Sequence, residues 1–307
     1  MNNESKVNVL LVQYNPKYKA ISENIKFISN LLSKYTKEDK IDLIVFPEMT
    51  LSGYIFDNAD DIMPYTSPYN SGETFEFCSS LAKKLECYIF MGYPEKTEDN
   101  KLYNSCMIIN RKGEALPSYH KHFLYKDDKT WCLEGDKFGY LEITTHQGKN
   151  IKLGIGICMD INPYEFEAPF DKMEFANHCI DKDVDLIVFL TNWTDSEPEK
   201  RDKDAIYDQL NYWAVRLSPF YKSNIKKPVY FLAADRTGKE KDTSFIGCSC
   251  ILLLTPKPKV LQLFDKKKQE YAYFMSVYER ILAKISFKKF LNKLLFCPKI
   301  MLPCIKF

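Results

Sequence analysis

Short apolar runs, many of them rich in β-branched or aromatic residues, recur along the chain between more polar segments. They read VNVLLVQ (7–13), IDLIVF (41–46), CYIFMGY (87–93), LYNSCMIIN (102–110), IKLGIGI (151–157), DLIVFLT (185–191), PVYFLAA (228–234) and SFIGCSCILLL (244–254). Their lengths fit strands, and the runs without polar alternation fit strands covered on both faces. Between several of them the apolar residues return with a helical period. In SENIKFISNLLSKY, Ile25, Ile28, Leu31, Leu32 and Tyr35 fall on one face, and Ser22 is placed to cap the helix. GETFEFCSSLAKKLE repeats the pattern with Phe75, Cys78, Leu81, Ala82 and Leu85, and DAIYDQLNYWAVRL with Ile206, Leu210, Trp213, Ala214 and Leu217. Strand and helix alternate, which predicts α/β layers rather than an all-helical or all-β fold.

No Gly/Ser linker or repeat period divides the chain. One domain is therefore expected over residues 1–265, followed by an extension, 266–307, that is basic and apolar together. In that extension Phe287, Phe290, Leu294 and Leu295 share a helical face with Lys288, Lys289 and Lys293 around it. Packing on the protein's own body is the expected role of this face, with a homo-oligomer interface or an acidic membrane surface as the alternatives. With 307 residues, 45% of them hydrophobic, the chain can bury a sizeable core. A net charge of +2 gives no reason to expect nucleic acid as a partner. The start MNNESKVNVLL has too short an apolar run for a secretory signal, so the ten cysteines are expected as free thiols in a cytoplasmic protein.

Three strand ends carry residues that packing alone does not explain. GIGICMDINPYEFEAP puts Cys158 at the downstream edge of an apolar run, IDLIVFPEMTLSGY runs through Pro47 into Glu48, and PSYHKHFLY sets Lys121 between two histidines. Singly, each has an ordinary structural reading, such as a surface charge or a small buried thiol. As a set they offer a nucleophile, a base and a cation. His120 and His122, and the pair Cys248 and Cys250, lack the partner motif of a zinc site. A Cys–His pair would leave Glu48 and Lys121 unexplained. Gly154 and Gly156 lack the third glycine of a dinucleotide loop. No metal and no cofactor is implied.

The blocks FPEMTLSGY, YHKHFLY and GIGICMDINPYE, with AADRTGKEKDTSFIGCS (233–249) as a fourth, resemble in order the signature blocks of the nitrilase, or carbon–nitrogen hydrolase, superfamily. The resemblance covers about residues 7 to 255 and implies an α-β-β-α sandwich. It also implies a catalytic set in which Cys158 attacks an amide carbon, Glu48 moves the protons and Lys121 holds the oxyanion. Many members orient the lysine with a second glutamate, for which Glu134 in WCLEGDKF is the candidate, and Glu165 matches a supporting glutamate just past the nucleophile.

Within the superfamily, ICMD-[apolar]-NPY-x-F-x-AP, with YHKHFLY and WC-x-E, resembles the eukaryotic protein N-terminal amidases. These convert N-terminal asparagine and glutamine of proteins to aspartate and glutamate, feeding the arginine branch of N-degron degradation. Asn162 stands where most other branches place arginine. A substrate of this kind carries a free α-ammonium, for which Asp160 or Asp235 is the expected partner, a cap of the turn after Cys158 being the alternative role of Asp160; Asn192 and Trp193 in FLTNWTD are expected to line the pocket, with core packing as the alternative for Trp193. The alternatives are an amidase of a small free ω-amide or carbamoyl compound, and a catalytically dead protein that binds peptide N-termini.

Overall fold

The computed structural model describes residues 6–278 apart from 197, 199–201 and 266–269. The first half of the chain supplies β1 (Lys6–Tyr14), α1 (Ile21–Leu31), β2 (Leu43–Val45), α2 (Ala59–Ile62), α3 (Gly72–Leu85), β3 (Tyr88–Lys96), β4 (Leu102–Ile109) and β5 (Ala115–His120). The second supplies β6 (Gly139–Thr144), β7 (Asn150–Ile157), α4 (Glu174–Asp181), β8 (Leu186–Thr191), α5 (Asp202–Arg216), α6 (Ser218–Lys222), β9 (Val229–Asp235), β10 (Thr237–Glu240), β11 (Thr243–Ile246), β12 (Cys250–Thr255), β13 (Lys259–Leu263) and β14 (Glu270–Tyr278).

Two six-stranded sheets result, in the orders β14-β1-β2-β3-β4-β5 and β13-β12-β9-β8-β7-β6. Each has a parallel centre, β1-β2-β3 in one and β7-β8-β9 in the other, flanked by antiparallel strands. The sheets pack face to face through Val9, Leu11, Val45, Phe90, Leu153, Ile155, Val188 and Leu232. Helices α1 and α3 cover the outer face of the first sheet, and α4, α5 and α6 that of the second. This is the α-β-β-α sandwich, and it explains why the central runs are apolar throughout: both faces of each strand are buried.

Several elements depart from the sequence pattern. Ser22 does not cap α1; Ala20 precedes the helix without a side-chain cap, and the Ser22 hydroxyl donates to Glu73. The run 244–254 is not one strand. Gly247, at φ +60, turns the chain, so β11 pairs with β10 in a small ribbon and β12 joins the second sheet. Strands β5 and β6 escape an apolar-run criterion because their residues are largely polar or alternate between buried and exposed. Beyond residue 265, β14 pairs along the full length of β1 as an edge strand of the first sheet. The basic face around Phe287 to Leu295 lies outside the described residues. Among the described residues no helix is long and apolar enough to cross a membrane.

Candidate active site

Where parallel strands end, side chains and backbone groups are free to face a common crevice. Here β2, β7, β8 and β9 lead at their C-terminal ends to Glu48, Cys158, Asn192 and Asp235, and β5 leads to Lys121. Glu48, Lys121, Asn192 and Asp235 are buried almost completely. Of the eight described cysteines, Cys158 is the one that is only partly buried.

Lys121 and Glu48 form a buried ion pair, Nζ to Oε1 2.7 Å. Its second acid is not Glu134. Asp128, seven residues after Lys121, takes that place at 2.6 Å. Glu134 lies at the rim, where its carboxylate accepts from Tyr164 Oη at 3.3 Å. The short 3-10 turn Asp128–Thr130 brings Asp128 back under the lysine, and Tyr125 N donates to Asp128 Oδ2 at 2.9 Å. Asn104, a polar residue within largely apolar β4, donates to Glu48 Oε1 at 2.8 Å and to Asp128 Oδ1 at 3.0 Å. Asn192 N completes the cradle, donating to Glu48 Oε2 at 2.9 Å. Sequence reasoning missed Asp128 and Asn104. The available signals were a second acid in YKDDKTW, close behind Lys121, and an asparagine inside a strand rich in apolar residues.

An ammonium has three donors. Glu48 and Asp128 occupy two of those on Lys121, and the described residues leave the third free for a ligand. The Lys121 Nζ also lies 5.9 Å from the Tyr54 ring centroid, within cation–π range. Burial works against its charge, but Asp128 and Glu48 outweigh that and hold the ammonium well above its ordinary pKa. Burial pushes the Glu48 carboxyl up, with Lys121 opposing. Burial, reinforced by Glu48, also holds the Cys158 thiol well above its usual range, against the opposing pull of Lys121. A thiol held up in this way rests neutral rather than as a preformed thiolate.

Close backbone approach fixes both groups. A Cβ on Gly92 would lie 2.5 Å from Glu48 Cα and 2.6 Å from Pro47 O, so only glycine lets β3 press against the segment carrying Glu48. Cys158 opens the 3-10 turn Cys158–Ile161 at φ +42, a conformation unfavourable for a residue with a side chain. Asp160 and Arg216 hold that turn. Asp160 accepts from Ile157 N at 2.7 Å, Phe123 N at 2.8 Å, His122 N at 3.1 Å and Tyr119 Oη at 2.6 Å. Arg216 Nε donates to Ile161 O at 2.6 Å.

Asp160 is thus saturated by the protein's own donors, and the structure does not leave it for a substrate ammonium. Asp235 is likewise engaged, accepting from Trp193 N at 3.0 Å and Cys248 N at 3.3 Å, and burial raises its carboxyl well above the carboxylate range. Trp193 is half-buried against Tyr212 and Trp213, each with ring centroids 5.7 Å away. Asn192 differs: its side-chain nitrogen and oxygen are both buried without a partner among the described residues. Glu165 pairs with Lys129 at the surface, and with the Tyr164–Glu134 contact this clasps the segment after Lys121 to the segment after Cys158. His120 is stacked on Tyr103 and faces Glu95 at 3.2 Å, and His122 Nδ1 meets Gly135 O at 2.6 Å.

Comparison with known proteins agrees with this geometry. The carbon–nitrogen hydrolase family matches residues 8–166. The protein N-terminal amidase of Schizosaccharomyces pombe is 36% identical over 268 residues, which cover 81% of this chain and 92% of that one. That of Saccharomyces cerevisiae is 37% identical over 205 residues, covering 61% of this chain, which spans only 45% of its length. A crystal structure of an N-terminal amidase with an Asn-Glu-Ala peptide superposes with a TM-score of 0.78 at 23% identity, covering 91% of this chain and 99% of that one. A carbon–nitrogen hydrolase from Helicobacter pylori G27 superposes with a TM-score of 0.67 at 19% identity, covering 88% of each chain.

Proposed function

This chain belongs to the carbon–nitrogen hydrolase family and is an amidohydrolase of carbon–nitrogen bonds, and we propose that it deamidates N-terminal asparagine and glutamine of proteins. In this reading Cys158 Sγ attacks the side-chain amide carbon while Glu48 takes the thiol proton. The tetrahedral oxyanion is held by the third N–H of Lys121 and the backbone N–H of Met159. Collapse expels ammonia, protonated by Glu48, and leaves a thioester on Cys158. Glu48 then deprotonates a water that attacks the thioester, and the carboxylic acid departs as the thiol is restored. Asp128 and Asn104 serve as positioning residues that keep Lys121 and Glu48 together through each proton transfer. Asn192, with both polar side-chain atoms uncommitted, hydrogen-bonds the bound substrate.

One observation favours an N-terminal residue over a small free acid amide. A substrate carboxylate would need a cation, and both large buried arginines are already engaged. Arg216 serves Ile161 O, Phe170 O and Glu174, while Arg236 pairs with Glu240 and lies over Phe245. Asn162, in the position other branches give to arginine, accepts from Tyr212 Oη. The product is a new N-terminal Asp or Glu, consistent with a place in N-degron degradation and in the cytoplasm.

The test is ammonia release from Asn- and Gln-initiated peptides, their N-acetylated forms and free glutamine, with Cys158→Ala as control. Ammonia from the free-terminus peptides, lost in the variant, is expected. Ammonia from free glutamine alone would move the enzyme to another branch.

A further inference from the structure

An enzyme that tells a free terminus from a blocked one must place a group of negative charge close to the reacting amide. In asparagine the α-nitrogen is separated from the amide carbon by two carbons, in glutamine by three. The partner of the ammonium therefore sits beside the cleft that holds Cys158 and Lys121. Most carboxylates around that cleft are committed. Glu48 and Asp128 hold Lys121 and accept from Asn104, and Asp160 and Asp235 accept from backbone N–H groups. Glu165 pairs with Lys129, and Glu134 accepts from Tyr164.

Asp127 is the exception. It directly precedes Asp128, is half-buried, and stands at the head of the 3-10 turn without capping it. Its backbone carbonyl accepts from Thr130, but no hydrogen bond or ion pair joins its carboxylate to another described residue. Tyr125 lies within the electrostatic reach of both Asp127 and Cys158, and fully buried Tyr54 within reach of Asp127, Glu48, Asp128 and Cys158. Asp127 is thus the residue next to the acid that holds Lys121 at 2.6 Å, and its charge acts on the same two tyrosines as the Cys158 thiol. The unpartnered, buried side chain of Asn192 on the Glu48 side independently marks the cleft as built for a polar ligand.

We propose that Asp127 receives the substrate's free α-ammonium and so makes the enzyme specific for unblocked N-termini; this rests on the N-terminal amidase reading. A half-buried carboxylate without donors is destabilised by its lost hydration, and burial accordingly raises the Asp127 carboxyl, with Lys126 opposing. A bound ammonium supplies the missing counter-charge, and an acetylated terminus leaves it unpaired. A charge-assisted hydrogen bond of this kind corresponds to roughly 10- to 100-fold in binding.

The experiment compares wild type with Asp127→Asn and Asp127→Glu on three Asn-type peptides: free, N-acetylated, and one with hydrogen in place of the α-amine. Wild type is expected to favour the free peptide over the other two. In Asp127→Asn the KM for the free peptide should rise by about 10-fold or more, with a smaller change in kcat, so that the ratio of free to deamino peptide falls towards one. Asp127→Glu should restore part of that ratio. Because the Asp127 carboxylate bonds to no described residue, the variants should melt with the wild type. Full retention of the preference for free termini in Asp127→Asn would overturn the assignment while leaving the amidase reading intact. No turnover of any Asn- or Gln-initiated peptide by the wild type would overturn both.

Discussion

Replacing Asp128 by asparagine keeps the shape of the side chain and removes one of the two charges that hold Lys121. Asp128 is fully buried and accepts from Lys121 Nζ at 2.6 Å, Tyr125 N at 2.9 Å and Asn104 Nδ2 at 3.0 Å. All three neighbours are donors, so an asparagine can present its oxygen to some of them only, and its own NH2 group opposes the rest. Breaking a buried ion pair from one side costs about 3–5 kcal/mol. Glu48 remains on the ammonium, so a loss near the lower end, about 3 kcal/mol, is expected in urea unfolding. Activity should fall further than stability implies. A lysine shifted by about 1 Å no longer meets the oxyanion, which costs on the order of 10²-fold in kcat. The matched control is Glu134→Gln at the exposed rim, expected to change stability by less than about 0.5 kcal/mol and kcat only slightly. The assay is kcat on an Asn-initiated peptide alongside unfolding of each variant. A fully active, fully stable Asp128→Asn beside an inactive Glu134→Gln would refute the reasoning and restore Glu134 as the lysine's partner.

Three further outcomes follow from the same geometry. Gly92→Ala puts a methyl 2.5 Å from Glu48 Cα and should destabilise the protein by about 1–3 kcal/mol while lowering kcat, measured by melting and turnover together. Because burial raises the Glu48 carboxyl and the ionised form is the base, kcat/KM should fall on acidification with a midpoint above the roughly 4.3 of a solvated glutamate. A pH-rate profile still flat below that value would contradict it. On the alkaline side Lys121 keeps its charge, so the first loss should follow deprotonation of the peptide's own α-ammonium near pH ~8. An N-terminal residue methylated to a quaternary ammonium should remove that limb.

The legible part of the fold was the part whose residues are buried on both faces. The runs at 7–13, 151–157 and 185–191 are apolar because sheets and helices enclose them, and each became a central strand. Edge elements were less legible: β5 and β6 are polar on exposed positions, and β14 contributes through backbone pairing to β1. At the site, Cys158, Glu48 and Lys121 stood out as polar residues at the ends of apolar strands. Their supports did not, because Asn104 and Asp128 act through contacts that join β4, β5 and the following turn, which linear spacing does not reveal. Asp160 caps the turn after Cys158, the alternative its sequence position offers, but its donors and those of Asp235 from distant segments are not visible in the sequence.

In the proposed mechanism Cys158 carries the acyl group of an N-terminal residue. This step is tested most directly by mixing the enzyme with an Asn-initiated peptide, quenching in acid during turnover, and locating the adduct by peptide mass spectrometry. The peptide's mass, less ammonia, is expected on the fragment containing Cys158, and is expected to be absent with the N-acetylated peptide. An adduct on another residue, or undiminished product from Cys158→Ala, would contradict it.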